Sequence, residues 1–129
     1  MDILTHAVVG AVIGNGSISC IVAACLPDLV LGIKRRKEPP PIYKFTHSIF
    51  PVAVLLLCGF QLEAAAWASH IILDIPTHGP VWSPNLLYPV HKKGFSCFGE
   101  WEFFNGSWFL GLFLSVFLCL MLQFVIGFR

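Results

Sequence analysis

The sequence predicts an all-α fold, an integral membrane helical bundle with short or broken helices and a C-terminal transmembrane helix. Three observations lead there. Of the 129 residues, 57 % are hydrophobic and 12 % charged, about half the charged fraction of a typical soluble domain. The apolar residues form continuous runs rather than the alternation of half-buried strands. Gly, Pro and a few polar residues punctuate those runs, and most of the histidines are among them. A chain of this length makes one domain, residues 1–129.

The first run, Ala7 to Leu26, is long enough at about 20 residues to cross a bilayer. Asp2 or Thr5 can cap its start. Gly14-Asn15-Gly16-Ser17 interrupts it and reads as a turn more readily than as helix interior. A straight helix would set His6 and Asp28 about 33 Å apart, whereas a hairpin would bring them together, and both readings stay open. The opening MDILTHAVVG has no basic region and no small-residue cleavage site, so it reads as mature sequence rather than a signal peptide.

Next come Lys34-Arg35-Arg36-Lys37 and the prolines 39–41, which prevent a continuous helix. The positive-inside bias places the Lys34–Lys44 loop in the cytoplasm and the chain in the plasma (inner) membrane. In that reading the cluster touches anionic lipid headgroups. Nucleic acid is not an expected partner, because net charge is +1 and no aromatic-interleaved basic patch exists.

The second run is Ile49 to Phe60, with Thr46 or Ser48 as its cap and Pro51 in the first turn, where a missing donor costs little. Gln61 and Glu63 interrupt it before Ala64–Leu73 resumes. One helix over 49–75 would separate His47 from His70 by about 34 Å. A hairpin near Gly59–Gln61 would return them to one side.

From Thr77 to Glu102, three prolines and three glycines exclude a long helix. Trp82, Tyr88 and Trp101 there suit a headgroup layer. His91, beside Lys92 and Lys93, reads as a surface residue. Phe103–Phe128 is the clearest membrane segment, an anchor helix crossing once. The five cysteines show no Cys-x-x-Cys spacing and read as small buried hydrophobes.

The chemistry centres on one stretch, in which His70, Asp74 and His78 stand at i, i+4 and i+8 and share one helix face. Imidazole nitrogens with a carboxylate suit zinc or a comparable divalent ion. Pro76 tends to end the helix, so His78 reaches the site from the turn beyond. The same residues also fit a buried His–Asp hydrogen bond that only ties helices together. Glu63 lies on the stripe of Trp67, His70 and Asp74. A carboxylate in an apolar segment is costly unless paired, which makes it a functional candidate; a solvated residue at a hairpin turn fits equally well.

Taken together, Thr5-His6, Leu26-Pro27-Asp28, Phe45-Thr46-His47-Ser48, Ser69-His70-x-x-x-Asp74-x-x-Thr77-His78-Gly79 and Leu87-x-Pro89 resemble the YdjM-like family of membrane-bound proteins classed as metal-dependent hydrolases. The resemblance covers residues 1–90, and the order of the motifs is more specific than any one of them. More distantly the His and Asp arrangement looks like that of zinc-dependent phospholipase C enzymes. The resemblance implies hydrolytic activity, with His6, Asp28, His47, His70 and Asp74 as metal ligands and His78 as an addition. The chain departs from the family at Val30, where a second acidic residue is usual, and at Ile42-Tyr43-Lys44-Phe45, which replaces a His-Arg-Gly lead-in. Lys44 lacks the bidentate fork of an arginine.

The leading expectation is hydrolysis of an ester or phosphoester near the membrane surface. A divalent ion, zinc first and manganese as the alternative, would lower the pKa of a bound water, with Glu63 or Asp74 as general base. The competing class is non-catalytic: a metal-stabilised membrane scaffold or a small transport component. Membrane lipids and a second copy of the chain, as a homodimer, are the expected partners.

Overall fold

The computed structural model describes residues 3–30 and 38–96, together with the helical positions 113, 116, 117, 120 and 121. Both early apolar runs fold back as hairpins. The first yields α1 (Ile3–Ile13) and α2 (Ile18–Leu29). Asn15 and Gly16 take positive φ values of 49° and 84°. Gly16 N–H donates to the Ala11 carbonyl at 2.7 Å and Asn15 N–H to that of Val12 at 3.3 Å, which satisfies the last carbonyls of α1.

A short helix α3 (Pro41–Thr46) follows, with Pro41 in its first turn, where a missing N–H costs little. His47 and Ser48 form a sharp junction to α4 (Ile49–Leu57), and the Ser48 hydroxyl caps α4 by accepting from Phe50 N–H. The second hairpin closes at Gly59, whose φ is +86°. Phe60 N–H donates to the Leu55 carbonyl and Gly59 N–H to that of Leu56, the same device that ends α1. The chain then enters α5 (Gln61–Thr77), which tolerates Pro76 because it falls in the last turn.

Helix α2 lies at the centre, packed against α1, α5 and α3. The core it forms is built from small side chains, Cys20, Ala23, Ala24 and Ala66, flanked by Ile13 and Leu62. Small residues let backbones approach closely: a Cβ on Gly10 would stand 2.7 Å from both the Ala24 Cβ and the Cys20 carbonyl oxygen. Helix α4, by contrast, buries none of its residues, and Leu57 is 89 % exposed.

The integral membrane expectation is corrected here. Among the described residues no helix is long and apolar enough to cross a membrane. The physical reason is that the two turns cut the apolar runs into helices of 11, 12, 9 and 17 residues. Even the longest rises only about 25 Å at 1.5 Å per residue, against about 30 Å of hydrocarbon. Membrane localisation and a cytoplasmic Lys34–Lys44 loop therefore have no crossing helix to rest on among the described residues. The anchor expected at Phe103–Phe128 lies outside the described residues, apart from the five helical positions named above. The Trp82 ring, expected at a headgroup layer, meets Tyr43 edge-on with centroids 5.1 Å apart. Cys20 and Cys25 are buried as expected, whereas Cys58 is exposed beside the second turn.

Candidate metal centre

Folding back gathers the polar residues. His6 comes from α1, Asp28 from the end of α2 just after Pro27, and His47 from the α3–α4 junction. His70 and Asp74 lie one turn apart on α5, and His78 is the residue that ends that helix. His6, His47, His70 and Asp74 are fully buried. Asp28 and His78 keep side-chain exposures of 19 % and 21 %, so the site meets the surface through them.

The atoms converge tightly. His47 Nε2 lies 3.0 Å from His70 Nε2. It is 3.4 Å from Asp28 Oδ1 and 3.2 Å from Asp74 Oδ2. His70 Nε2 is 3.8 Å from Asp28 Oδ1 and 3.1 Å from Asp74 Oδ2. Ligand bonds of about 2.0–2.2 Å in a tetrahedron put neighbouring ligand atoms about 3.3–3.6 Å apart. Asp28, His47, His70 and Asp74 thus have the spacing of donors around one ion, and as a buried group they could hold a metal ion.

The hydrogen bonds behind the histidines decide which nitrogen is bare. A backbone carbonyl can only accept, so the contacts of His47 Nδ1 to Tyr43 O (3.0 Å) and His70 Nδ1 to Ala24 O (2.7 Å) place a proton on each Nδ1. In the neutral rings each Nε2 is then a lone pair. Two such nitrogens and two carboxylates facing one another repel unless a cation or a proton lies among them. Metal-ligating histidines are oriented by this kind of backbone bond.

In the absence of an ion a proton on His47 answers the two carboxylates. Burial works against a charged His47, but hydrogen bonds to Asp28 and Asp74 outweigh it and raise its pKa. Burial would also raise both carboxyls. Hydrogen bonding from His47 and the charge of His70 hold Asp28 below the usual carboxylate range. Surrounding positive charge, with hydrogen bonds from His47 and His6, holds Asp74 well below it. His6 goes the other way: burial pushes it down to about 4, so it is neutral near pH 7.

Stacking and buried donors keep these rings in place. Tyr43 stacks on His47 and His6 on His70, both with ring centroids 3.7 Å apart. The Tyr43 hydroxyl donates to the Trp82 carbonyl at 2.8 Å, tying the 77–96 segment over the site. Thr46 Oγ1 lies 3.1 Å from the Pro27 carbonyl, and Trp67 Nε1 donates to the Thr46 carbonyl at 2.9 Å.

Five of the expected residues, His6, Asp28, His47, His70 and Asp74, come together, and His78 joins them with Nδ1 3.3 Å from Asp74 Oδ1. Glu63 does not, which corrects its assignment as a general base. It opens α5, eleven residues or about 16 Å of helix from Asp74, and accepts a hydrogen bond from Ser19 Oγ in an exposed pair. Asp74 has imidazoles against both oxygens, an arrangement that suits a metal ligand. Tyr43 was missed as a site residue; its position one helical turn before His47 was the available signal. Comparisons of the chain with protein-family models, with curated proteins and with solved structures find no match, so the YdjM-like resemblance rests on the motifs alone.

Proposed function

We propose that this chain is a metal-dependent hydrolase of an ester or phosphoester. The observation that carries the reading is a buried cluster of four lone-pair donors, Asp28 Oδ1, His47 Nε2, His70 Nε2 and Asp74 Oδ2, one corner of which reaches solvent. Zinc is the ion that two imidazoles and two carboxylates at this spacing favour, with manganese the alternative. A divalent ion held by these residues would supply a bound water with its pKa lowered toward neutrality. The protein's part is to hold a proton on each Nδ1 and turn each Nε2 forward, through the Tyr43 and Ala24 carbonyls. Asp28, at the exposed corner, marks where a substrate arrives. His78, also partly exposed and against Asp74 Oδ1, is placed to carry a proton away.

A second reading is a metal-stabilised scaffold, favoured by the count of four protein donors, which already fills a tetrahedral shell as in structural sites. A transport role needs a polar path across a bilayer, for which the described residues supply no crossing helix.

The test is elemental analysis of purified wild type, His70→Ala and Asp74→Ala, followed by assay on chromogenic carboxylic esters, phosphomonoesters and phosphodiesters. Zinc near one per chain, lost in both variants together with turnover, supports the hydrolase. Metal lost together with melting temperature, and no turnover of any substrate by wild type, selects the scaffold. Equal metal in all three proteins removes both readings.

A further inference from the structure

We infer that His6 is a positioning residue rather than a metal ligand: it donates Nε2–H to the far oxygen of Asp74, so that Asp74 offers the ion a single oxygen. The inference rests on the metal site proposed above and separates two roles that the motif pattern runs together.

The two oxygens of Asp74 face different partners. Oδ2 lies against His47 Nε2 and His70 Nε2, at 3.2 and 3.1 Å. Oδ1 lies against His6 Nε2 at 3.1 Å and His78 Nδ1 at 3.3 Å. A carboxylate oxygen only accepts, so the close contact from His6 puts the proton on its Nε2. The other nitrogen agrees with this. His6 Nδ1 is buried and has no hydrogen-bond partner among the described residues. Ligation through Nε2 would force the proton onto Nδ1 and bury an N–H with no acceptor, whereas donation from Nε2 leaves only a bare lone pair there. Orphaned buried N–H groups are rarer than under-satisfied acceptors.

The contrast with the ligands is direct. His47 and His70 each hold a backbone carbonyl at Nδ1 and point Nε2 at the cluster; His6 has nothing at Nδ1 and points Nε2 at one carboxylate oxygen. The group of side chains whose donor atoms all lie within 4.8 Å of one another comprises Asp28, His47, His70 and Asp74, without His6. His6 also stacks on His70. One side chain on α1 therefore sets the direction of Asp74 and the plane of His70, both on α5. Partners behind metal ligands of this kind are worth about 10–100-fold in affinity.

Cobalt(II) titration of the metal-free full chain, followed by its visible absorption, tests this with wild type, His6→Ala and His6→Gln. Expected is one ion per chain in all three with the same coordination-sensitive band pattern. Affinity should fall 10–100-fold in His6→Ala and recover at least in part in His6→Gln, whose amide can donate but is a poor ligand. Two ions per wild-type chain, a changed band pattern in both variants, or affinity unchanged in His6→Ala would each overturn the inference. No cobalt bound by wild type would overturn the metal site itself. Should His6→Ala lose its helical circular dichroism, the band pattern of His6→Gln decides alone.

Discussion

His6 and His47 shift in opposite directions, His6 down because burial dominates and His47 up because its hydrogen bonds to Asp28 and Asp74 outweigh burial, and this sets the pH response of the metal-free protein. The His6 value falls from 6.5 to about 4 on folding. Between those pH values the unfolded chain binds a proton that the folded chain refuses, so stability drops as pH falls through that window. The loss is about 3 kcal/mol for this group alone. Asp28 and Asp74, held low, contribute stability that is lost only at lower pH, as it falls through their folded values. His47, held high, contributes stability that is complete below its unfolded value and is lost as pH rises through the folded one. Thermal melts of chelator-treated protein should therefore show a maximum near neutrality, and His6→Gln should flatten the acid side between pH 6.5 and 4. An acid limb unchanged in that variant would assign the effect elsewhere. Trp67 offers a second check at this scale. Its indole N–H is bonded to the buried Thr46 carbonyl, and Trp67→Phe should cost about 1–3 kcal/mol by leaving that acceptor bare, read from urea melts.

At the scale of elements, the glycines of the first hairpin separate turn geometry from helix packing. Gly10 has ordinary helical φ but faces α2 so closely that an added Cβ would meet the Cys20 carbonyl at 2.7 Å. Gly10→Ala should thus destabilise by about 1–3 kcal/mol as overpacking does, against the gain in helix propensity an alanine usually brings. Because α1 carries His6, the same variant should also weaken metal binding. Gly16 is the reverse case: nothing lies within 4 Å of an added Cβ, but its φ is +84°. Gly16→Ala should cost about 1 kcal/mol through backbone conformation and leave metal affinity unchanged. Paired chemical denaturation and metal titration of the two variants check both statements, and equal loss of affinity in both would count against the packing argument.

For the molecule as a whole, the candidate ligands come from α2, the α3–α4 junction and α5, so an ion there ties together elements far apart in the chain. Binding to the folded state alone stabilises by about 2.7 kcal/mol at a hundredfold excess over Kd. A rise in melting temperature on the order of 10 °C with zinc, reversed by chelator, is the expected result. A melting temperature indifferent to both would show that the cluster does not bind the ion when folded.

How much of this was legible beforehand follows from the range of each interaction. His70 and Asp74 share a face because 3.6 residues make a turn, so their pairing could be read from spacing alone. Pro51 in a first turn and breaks near Gly14–Ser17 and Gly59 are equally local, as was a cap at Thr46 or Ser48, of which the structure uses Ser48. Whether each break folds the chain back was not local. That depends on the small-residue contact of α2 with α1 and α5, made by residues such as Gly10, Ala24 and Ala66 that carry no distinctive signal one at a time. The membrane expectation failed at this step, because composition counts apolar residues without registering where turns cut them into short helices. Only the tertiary structure brought His6 and Asp28 to the same cluster as His47, His70 and Asp74. It also removed Glu63, which shares their stripe on α5 but sits about 16 Å along it, too far for any side chain to bridge.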